Sequence, residues 1–301
     1  MADRQVILVT GATGAQGGSV AAHLLKGGTF AVRALTRNPE SDRARGLARG
    51  GAEVVAGDLA DRASIEQALA GCHGCFGVTN FWEHFGKEAE HGRNLVDAVA
   101  ASGVRHFVFS TLPWAKKITG GELDVPHFDI KGELEEYARG RELPATFIHV
   151  AFYYENFLTF FPPQKEEDGS YSFGFPHGDT PLAMVWVEDV GGIVAPVFAG
   201  REEFLGRTVG IVGDDRPCAE YAADMSRVLG KAIRYQHVPR EVFAGFGFPG
   251  ADDLAAMFEF NRTRIPNRKA DLEESRKLYP QIRTFDTWLE QNRARFENVL
   301  I

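Results

Sequence analysis

A short apolar strand that runs without a break into a glycine-rich turn and then a helix most limits what this chain can fold into. Val6 to Thr10 lead directly into Gly11-Ala12-Thr13-Gly14-Ala15-Gln16-Gly17-Gly18, a G-x-x-G-x-x-G pattern one residue wider at its first gap than the common dinucleotide fingerprint. The physics of the wider form is the same. Gly11 permits the tight turn, Gly14 removes a Cβ so that a pyrophosphate can approach backbone, and Gly17 lets the helix lie close on the strand. The helix start then offers N–H groups and a positive dipole end to phosphate oxygens. A turn that binds nothing is the plainer alternative. Its place after the first strand and before a second strand–helix unit predicts dinucleotide binding, with Gly11, Thr13, Gly14, Ala15, Gln16 and Gly17 as the contacting residues.

The first half of the chain continues in the same rhythm. Apolar runs at Val6–Val9, Val32–Leu35, Glu53–Val55, Gly74–Val78, His106–Phe109 and Thr146–Val150 alternate with stretches of helical spacing such as Val20, Leu24, Leu25 and Leu95, Val96, Val99. Alternation of this kind predicts an α/β fold, a doubly wound parallel Rossmann sheet, over residues 1–150. The second half is less regular. Phe157 to Asp168, with Pro162-Pro163 and a charged run, reads as an exposed loop, and Tyr171–Phe175 and Leu182–Val187 read as strands. Helices are expected to about Phe198 and over Ala219–Leu229, Asp252–Arg264 and Phe285–Phe296. Residues 151–301 therefore read as a smaller α+β C-terminal lobe, with 183–212 returning to pack on the Rossmann core.

The end of the second strand selects the cofactor. Leu35-Thr36-Arg37-Asn38-Pro39 lacks the acid that an NAD enzyme places on the ribose diol. Arg37 supplies a planar cation able to fork onto a 2′-phosphate, and Arg43 adds a second charge. NADP(H) is thus favoured over NAD(H), the alternative being that Arg37 is a solvated strand-end residue. Asp58, after the third strand, can accept from the adenine amine. Val78-Thr79-Asn80 ends the fourth strand at the carboxyl edge, where ligands bind in such sheets, and Phe81 and Trp82 follow, placed to wall off the nicotinamide end or, more plainly, to pack in the core or a loop.

Composition excludes other classes. A net charge of −8 and a pI near 5.6 argue against direct nucleic-acid binding or an anionic membrane surface. Three cysteines make no disulfide framework, and Cys72-His73-Gly74-Cys75 lacks a second pair for zinc and precedes a strand rather than a helix. No metal site is expected. The start Met1 to Gln5 runs into a strand, which predicts no secretory signal, and the most apolar segment, Ala145–Phe161, is broken by His149, Glu155 and Asn156. These signs point to a cytoplasmic protein.

Several segments carry a resemblance. GATGAQGGSV at Gly11–Val20, VTNFWE at Val78–Glu83, HFDIKGELEEY at His127–Tyr137, YENFL at Tyr154–Leu158 and FPGADDLAAM at Phe248–Met257 resemble the NmrA-like family, and within it the HSCARG branch of NmrA-like family domain-containing proteins. That family belongs to the atypical short-chain dehydrogenases/reductases. The resemblance spans nearly the whole chain and implies a two-domain NADP(H)-binding protein, several members being redox-sensing regulators rather than enzymes.

One helix poses the catalytic question. Reductases of the superfamily use Tyr-x-x-x-Lys, the Tyr protonating a carbonyl while the Lys grips the nicotinamide ribose. Here the spacing is His127-Phe128-Asp129-Ile130-Lys131, and residues four apart share a helix face. The resemblance gives Lys131 the ribose role, against the simpler alternative of a surface pair with Glu135. His127 replaces the Tyr, which puts hydride transfer in doubt, although a histidine can act as acid or base near neutral pH. Ser110 and Thr111 fall where the superfamily's catalytic hydroxyl would lie. Tyr153, Tyr154 and Asn156, after the sixth strand, are expected over the nicotinamide by position and resemblance, with either tyrosine able to replace the missing proton donor.

Two functions remain open at this point. One is an NADP(H)-binding redox sensor whose loops, among them Phe85–Glu90 and Lys116–Asp124, change with cofactor state and are read by a protein partner. The other is an NADPH-dependent reductase of a quinone, enone or carbonyl. A small-molecule substrate belongs to the second reading, and a homodimer is compatible with both.

Overall fold

The computed structural model describes residues 4–83 and 86–300, so the expectation for Phe85 lies outside the described residues. Two compact units emerge: Met1–Trp114, His127–Val150 and Glu188–Val209 form the first, and Ala115–Pro126, Ala151–Val187 and Gly210–Ile301 the second. The first unit takes back 188–209, within the 183–212 expected to return. Ala115–Pro126, inside the range read as Rossmann domain, groups instead with the second unit.

The first unit is built on β1 (Val6–Val9), α1 (Ala15–Gly27), β2 (Ala31–Thr36), α2 (Asp42–Arg49), β3 (Glu53–Ala56), α3 (Arg62–Leu69), β4 (Gly74–Gly77), α4 (Glu88–Ser102), β5 (His106–Thr111), the helix Pro126–Gly140 and β6 (Ala145–Val150). Every strand expected from the apolar runs forms, within one or two residues at each end. They join one seven-stranded sheet in the order Thr208–Ile211, β6, β5, β4, β1, β2, β3. The pairs β3–β2, β2–β1, β1–β4, β4–β5 and β5–β6 are parallel.

Strand order reverses direction between β1 and β4. At that switch point the connections leave the carboxyl ends of neighbouring strands in opposite directions and open a crevice, the usual ligand position in such sheets. The sheet holds because both faces are covered by apolar stripes. Leu8, Leu35, Ile65, Leu69, Leu95, Val99, Phe107, Phe109, Leu134 and Phe147 form one contiguous buried cluster on one face. Across the other face α1 meets the helix Val190–Ala199. Ser19 Oγ donates to the Glu188 carbonyl at 2.7 Å and accepts from Gly191 N–H at 2.9 Å. A Cβ on Gly191 would stand 2.2 Å from the Ser19 carbonyl oxygen, so only glycine permits this approach.

The second unit is held by aromatic rings. Phe175 stacks on Phe258 at 4.6 Å, and Phe157, Tyr154, Tyr221, Phe285 and Trp288 enclose a second cluster, all fully buried. Its two small sheets order Asp214–Pro217, Pro181–Val185, Phe152–Tyr153 and Ile233–His237, Tyr171–Phe175, Gln164–Lys165. The stretch read as an exposed loop, Phe157–Asp168, is partly built in. A 3-10 turn covers Tyr154–Leu158, and Gln164–Lys165 pairs antiparallel with Tyr171–Ser172. Phe157 is fully buried and Phe161 packs on Phe175 at 5.2 Å, so the aromatic side chains override the breaker signal of the two prolines. A further helix, Lys269–Leu278, was hidden by its composition, since Ser275 is the residue of it classed as buried.

Candidate functional site

The glycine turn adopts the shape its residues were expected to need. Gly11 has a φ of +58°, a left-handed conformation that suits glycine. Gly14 N–H donates to the Gly11 carbonyl at 2.8 Å and closes the turn. A Cβ on Gly17 would stand 2.3 Å from Gly11 O and 2.5 Å from Thr10 O, both backbone atoms that cannot swing aside. Gly14 is the N-cap of α1 and, having no side chain, leaves the helix start uncapped and exposed. Ala15 opens the helix at the surface. Gln16 turns toward β5, its Oε1 accepting from Ser110 Oγ at 2.8 Å.

Two cations follow on the next strand–helix unit, and Arg43 reaches this turn. Arg43, in the first turn of α2, donates from Nη1 to the Thr13 carbonyl at 2.9 Å. Arg37, directly after β2, donates to Glu83 Oε1 at 2.5 Å. An exposed helix start without a side-chain cap, glycines where a Cβ would collide, one guanidinium on the turn and a second just after the neighbouring strand make a cradle that fits a phosphorylated dinucleotide. Asp58 is half-buried and already organises its own turn: its Oδ1 accepts from Ala60 N–H at 2.9 Å, and its backbone N–H donates to Ser64 Oγ at 3.0 Å.

Across the switch point, at the end of β4, a second cluster forms. Lys131 Nζ donates to Thr79 Oγ1 at 2.9 Å and to the Thr79 carbonyl at 3.1 Å, and forms a close ion pair with Glu88. Thr79 Oγ1 donates in turn to Glu88 Oε1 at 2.6 Å. The Glu88 side chain has no solvent exposure and its second oxygen, Oε2, has no hydrogen-bond partner among the described residues. Lys131 therefore does not make the pair with Glu135 that its spacing offers. Glu135 is taken by Thr111 Oγ1 at 2.6 Å, His149 Nε2 at 2.9 Å and Arg139 Nη2 at 2.9 Å. Burial pushes the Glu135 carboxyl up, but hydrogen bonds from His149, Thr111 and Arg139 and the charge of His149 outweigh it and bring the pKa down to about 2.

His127 lies one helical turn before Lys131 and is buried at 7% exposure. Its ring is packed by Phe128 at 4.8 Å, Trp82 at 5.2 Å and Phe81 at 5.9 Å. Trp82 remains partly exposed, and Asn80 donates to Glu83 Oε2 at 3.2 Å. The structure thus brings Thr79, Asn80, Phe81, His127 and Lys131 together at the β4 edge, while Arg37, Thr13 and the glycines gather at the β1–β2 edge of the same unit.

Tyr153, Tyr154 and Asn156 belong to the second unit. Tyr153 bridges to Val185 in a short parallel pair. The Tyr154 side chain, expected over a nicotinamide, is fully buried, with its hydroxyl 3.4 Å from both Asp214 Oδ2 and the Arg283 carbonyl. That places it in the packing of its own unit. Asn156 sits within the 3-10 turn, its carbonyl accepting from Phe161 N–H at 2.8 Å.

Two acids went unread in the sequence. Glu88 is an ordinary helix residue by spacing and Glu83 an ordinary loop residue; what marks them is a partner distant in the chain. Cys75 is fully buried in β4 and Cys72 buried beside it, and burial raises both thiols. Among the described residues there is no group of three metal-ligating side chains, and no helix is long and apolar enough to cross a membrane.

Strand order, switch point and glycine turn define the class: a Rossmann protein of the NAD(P)-binding kind. The chain belongs to the NmrA-like family, whose sequence profile matches residues 3–289. It is 36% identical over 282 residues to an NmrA-like family domain-containing oxidoreductase, FrzB, of a Cladobotryum species, covering 86% of this chain and 84% of that one. Among solved structures it resembles NmrA, a negative transcriptional regulator, in complex with NADP, with a TM-score of 0.84 at 22% identity over 98% of this chain and 97% of that one. It also resembles the NADPH-dependent quinone oxidoreductase QOR2 of Escherichia coli, with a TM-score of 0.76 at 24% identity over 98% of this chain and the whole of that one. At these identities the structural likeness speaks to the fold.

Proposed function

We propose that this chain is an NADP(H)-binding protein that acts as a redox-sensing regulator through a protein partner. NADP(H) is supported by the cradle at Gly11, Thr13, Gly14, Ala15, Gln16 and Gly17, by Arg43 on that turn and by Arg37 just after the neighbouring strand. NmrA, solved with NADP and with NAD, has the same fold, so the choice of the phosphorylated form rests on the arginines. Thr79, Asn80, Phe81 and Lys131 line the nicotinamide side of this reading.

The observation that carries the regulatory reading is the state of the helix Pro126–Gly140. At the position of the superfamily's proton donor stands His127, buried against three aromatic rings, and Lys131 is held in a buried pair with Glu88. A bound NADPH supplies a hydride. These residues hold and enclose, and none presents the exposed phenol that protonates a carbonyl. Occupancy then carries information only if the partner distinguishes bound from free protein, which requires different affinities for the two states.

A second reading, an NADPH-dependent reductase of a quinone, enone or carbonyl, is favoured by the likeness to the oxidoreductase FrzB and by the imidazole at position 127, a side chain used in general acid–base catalysis. Mixing the purified protein with NADPH and a panel of quinones and carbonyls, and following absorbance of the reduced nicotinamide, separates the two. Tight binding without turnover supports the regulator. Turnover that is lost in Lys131→Ala overturns it in favour of the reductase.

A further inference from the structure

The guanidinium assigned to the 2′-phosphate already has an anionic partner. Arg37 Nη2 donates to Glu83 Oε1 at 2.5 Å, and Glu83 Oε2 accepts from Asn80 Nδ2 at 3.2 Å. Arg37 directly follows β2, whereas Glu83 lies 46 residues further on, in the turn that leaves β4. The five residues Thr79–Glu83 are therefore tied at both ends. Thr79 is fixed by Lys131 and Glu88, and Glu83 is fixed by Arg37. Between the ties, Phe81 is buried and Trp82 rests against Phe81 and His127 at 5.1 and 5.2 Å.

The two ties differ in kind. The Glu88 side chain has no exposure and that of Lys131 has 13%, so their pair is shielded from water and salt. The Arg37 and Glu83 side chains are 52% and 46% exposed, and pairs of that sort are weak. A phosphate group offers a guanidinium two parallel charge-assisted bonds and a larger charge, and so displaces a single screened carboxylate. The 2′-hydroxyl of NAD(H) carries no charge and has no such leverage.

We infer that Glu83 is a specificity-determining residue of the nucleotide site: its carboxylate occupies Arg37 until a 2′-phosphate displaces it, and that displacement frees the Trp82 end of the turn. The inference rests on the NADP(H) reading and adds two things to it. Every ligand that needs Arg37 must first displace Glu83, which lowers its apparent affinity, while a ligand that does not need Arg37 is unaffected. The event at the phosphate is also transmitted along Thr79–Glu83 to the rings around His127, giving cofactor occupancy a local structural consequence.

The test is a calorimetric titration of wild type, Glu83→Gln and Glu83→Ala with NADP⁺, NAD⁺ and adenosine 2′,5′-bisphosphate, with tryptophan fluorescence read in parallel. Both variants are expected to bind NADP⁺ and the bisphosphate about two- to five-fold more tightly, the range set by a weak exposed pair, and NAD⁺ as wild type does. The bisphosphate, which has no nicotinamide, is expected to change the fluorescence of wild type but not of Trp82→Phe. Equal gains for NADP⁺ and NAD⁺, or none for either, overturn the inference while leaving NADP(H) binding intact. A fluorescence change that persists in Trp82→Phe overturns the release of the turn. A wild type that binds neither NADP⁺ nor the bisphosphate overturns the NADP(H) reading and this inference together.

Discussion

Lys131→Met keeps most of the length of the side chain and deletes its charge, leaving Glu88 with Thr79 Oγ1 as its hydrogen-bond donor. The Glu88 side chain is wholly enclosed, so its charge then has neither solvent nor ammonium to stabilise it. Breaking a buried pair by removing one partner costs about 3–5 kcal/mol. The 13% exposure of Lys131 and the surviving Thr79 bond place this case at the low end, about 3 kcal/mol. Glu88→Gln removes the opposite charge but keeps an acceptor for Thr79, for about 1–3 kcal/mol. In the double variant the amide faces the thioether with no buried charge, so the two losses overlap. The coupling should be about 2 kcal/mol, toward the upper part of the range for residues in contact. Urea unfolding of the four cofactor-free proteins, followed by circular dichroism, measures this cycle without reference to nucleotide binding. Additivity within about 0.5 kcal/mol, or a Lys131→Met cost below about 1 kcal/mol, would refute the argument that the cluster is a shielded, mutually dependent unit.

Other perturbations probe separate parts of the unit. Arg37→Ala should weaken NADPH binding about ten-fold or more, the worth of a charge-assisted contact, and NADH binding far less; equal losses in a fluorescence titration would mean that Arg37 does not read the 2′-phosphate. Gly17→Ala drives a Cβ to 2.3 Å from Gly11 O and should cost about 1–3 kcal/mol together with nucleotide binding. Gly27→Ala meets nothing within 4 Å and should be neutral or slightly stabilising, as thermal melts of both variants would show. His106 is buried in β5, and burial, with the charges of Arg201 and His73, lowers its pKa to about 4. The unfolded chain therefore binds the extra proton first, so this contribution to stability is complete above about pH 6.5 and is lost as pH falls toward 4, on the order of 3 kcal/mol in all. His106→Gln should flatten the acid slope in that window; an unchanged slope counts against it.

Much of the first unit was legible because its signals are local. Six apolar runs each became a strand of the sheet, and the turn at Gly11–Gly17 carries its conformational demand in the residues themselves. The seventh strand, Thr208–Ile211, was foreseen only as a returning segment, since nothing in its sequence says which sheet edge it joins. The second unit was less readable for a physical reason. Its core is made of aromatic residues at irregular spacing, so Phe157 and Phe161 were assigned to a loop by the neighbouring prolines when their rings sit in the packing. At the site, Arg37 and Lys131 could be singled out, but their partners could not. Glu83 stands 46 residues from Arg37 and Glu88 stands 43 from Lys131, and separations of that length leave no trace in local pattern.

The contact between Ser19 and the segment Glu188–Gly191 bears on how the chain comes into being. The helix that presents the phosphate turn is synthesised among the first thirty residues, yet the helix that backs it arrives some 170 residues later, and the edge strand of the same sheet later still. On a ribosome, the nascent N-terminal half therefore waits with one face of α1 and one sheet edge uncovered until the chain has passed residue 211. A fragment ending at Val150 would keep that exposed face permanently, and should aggregate or be bound by chaperones rather than accumulate as a free nucleotide-binding module.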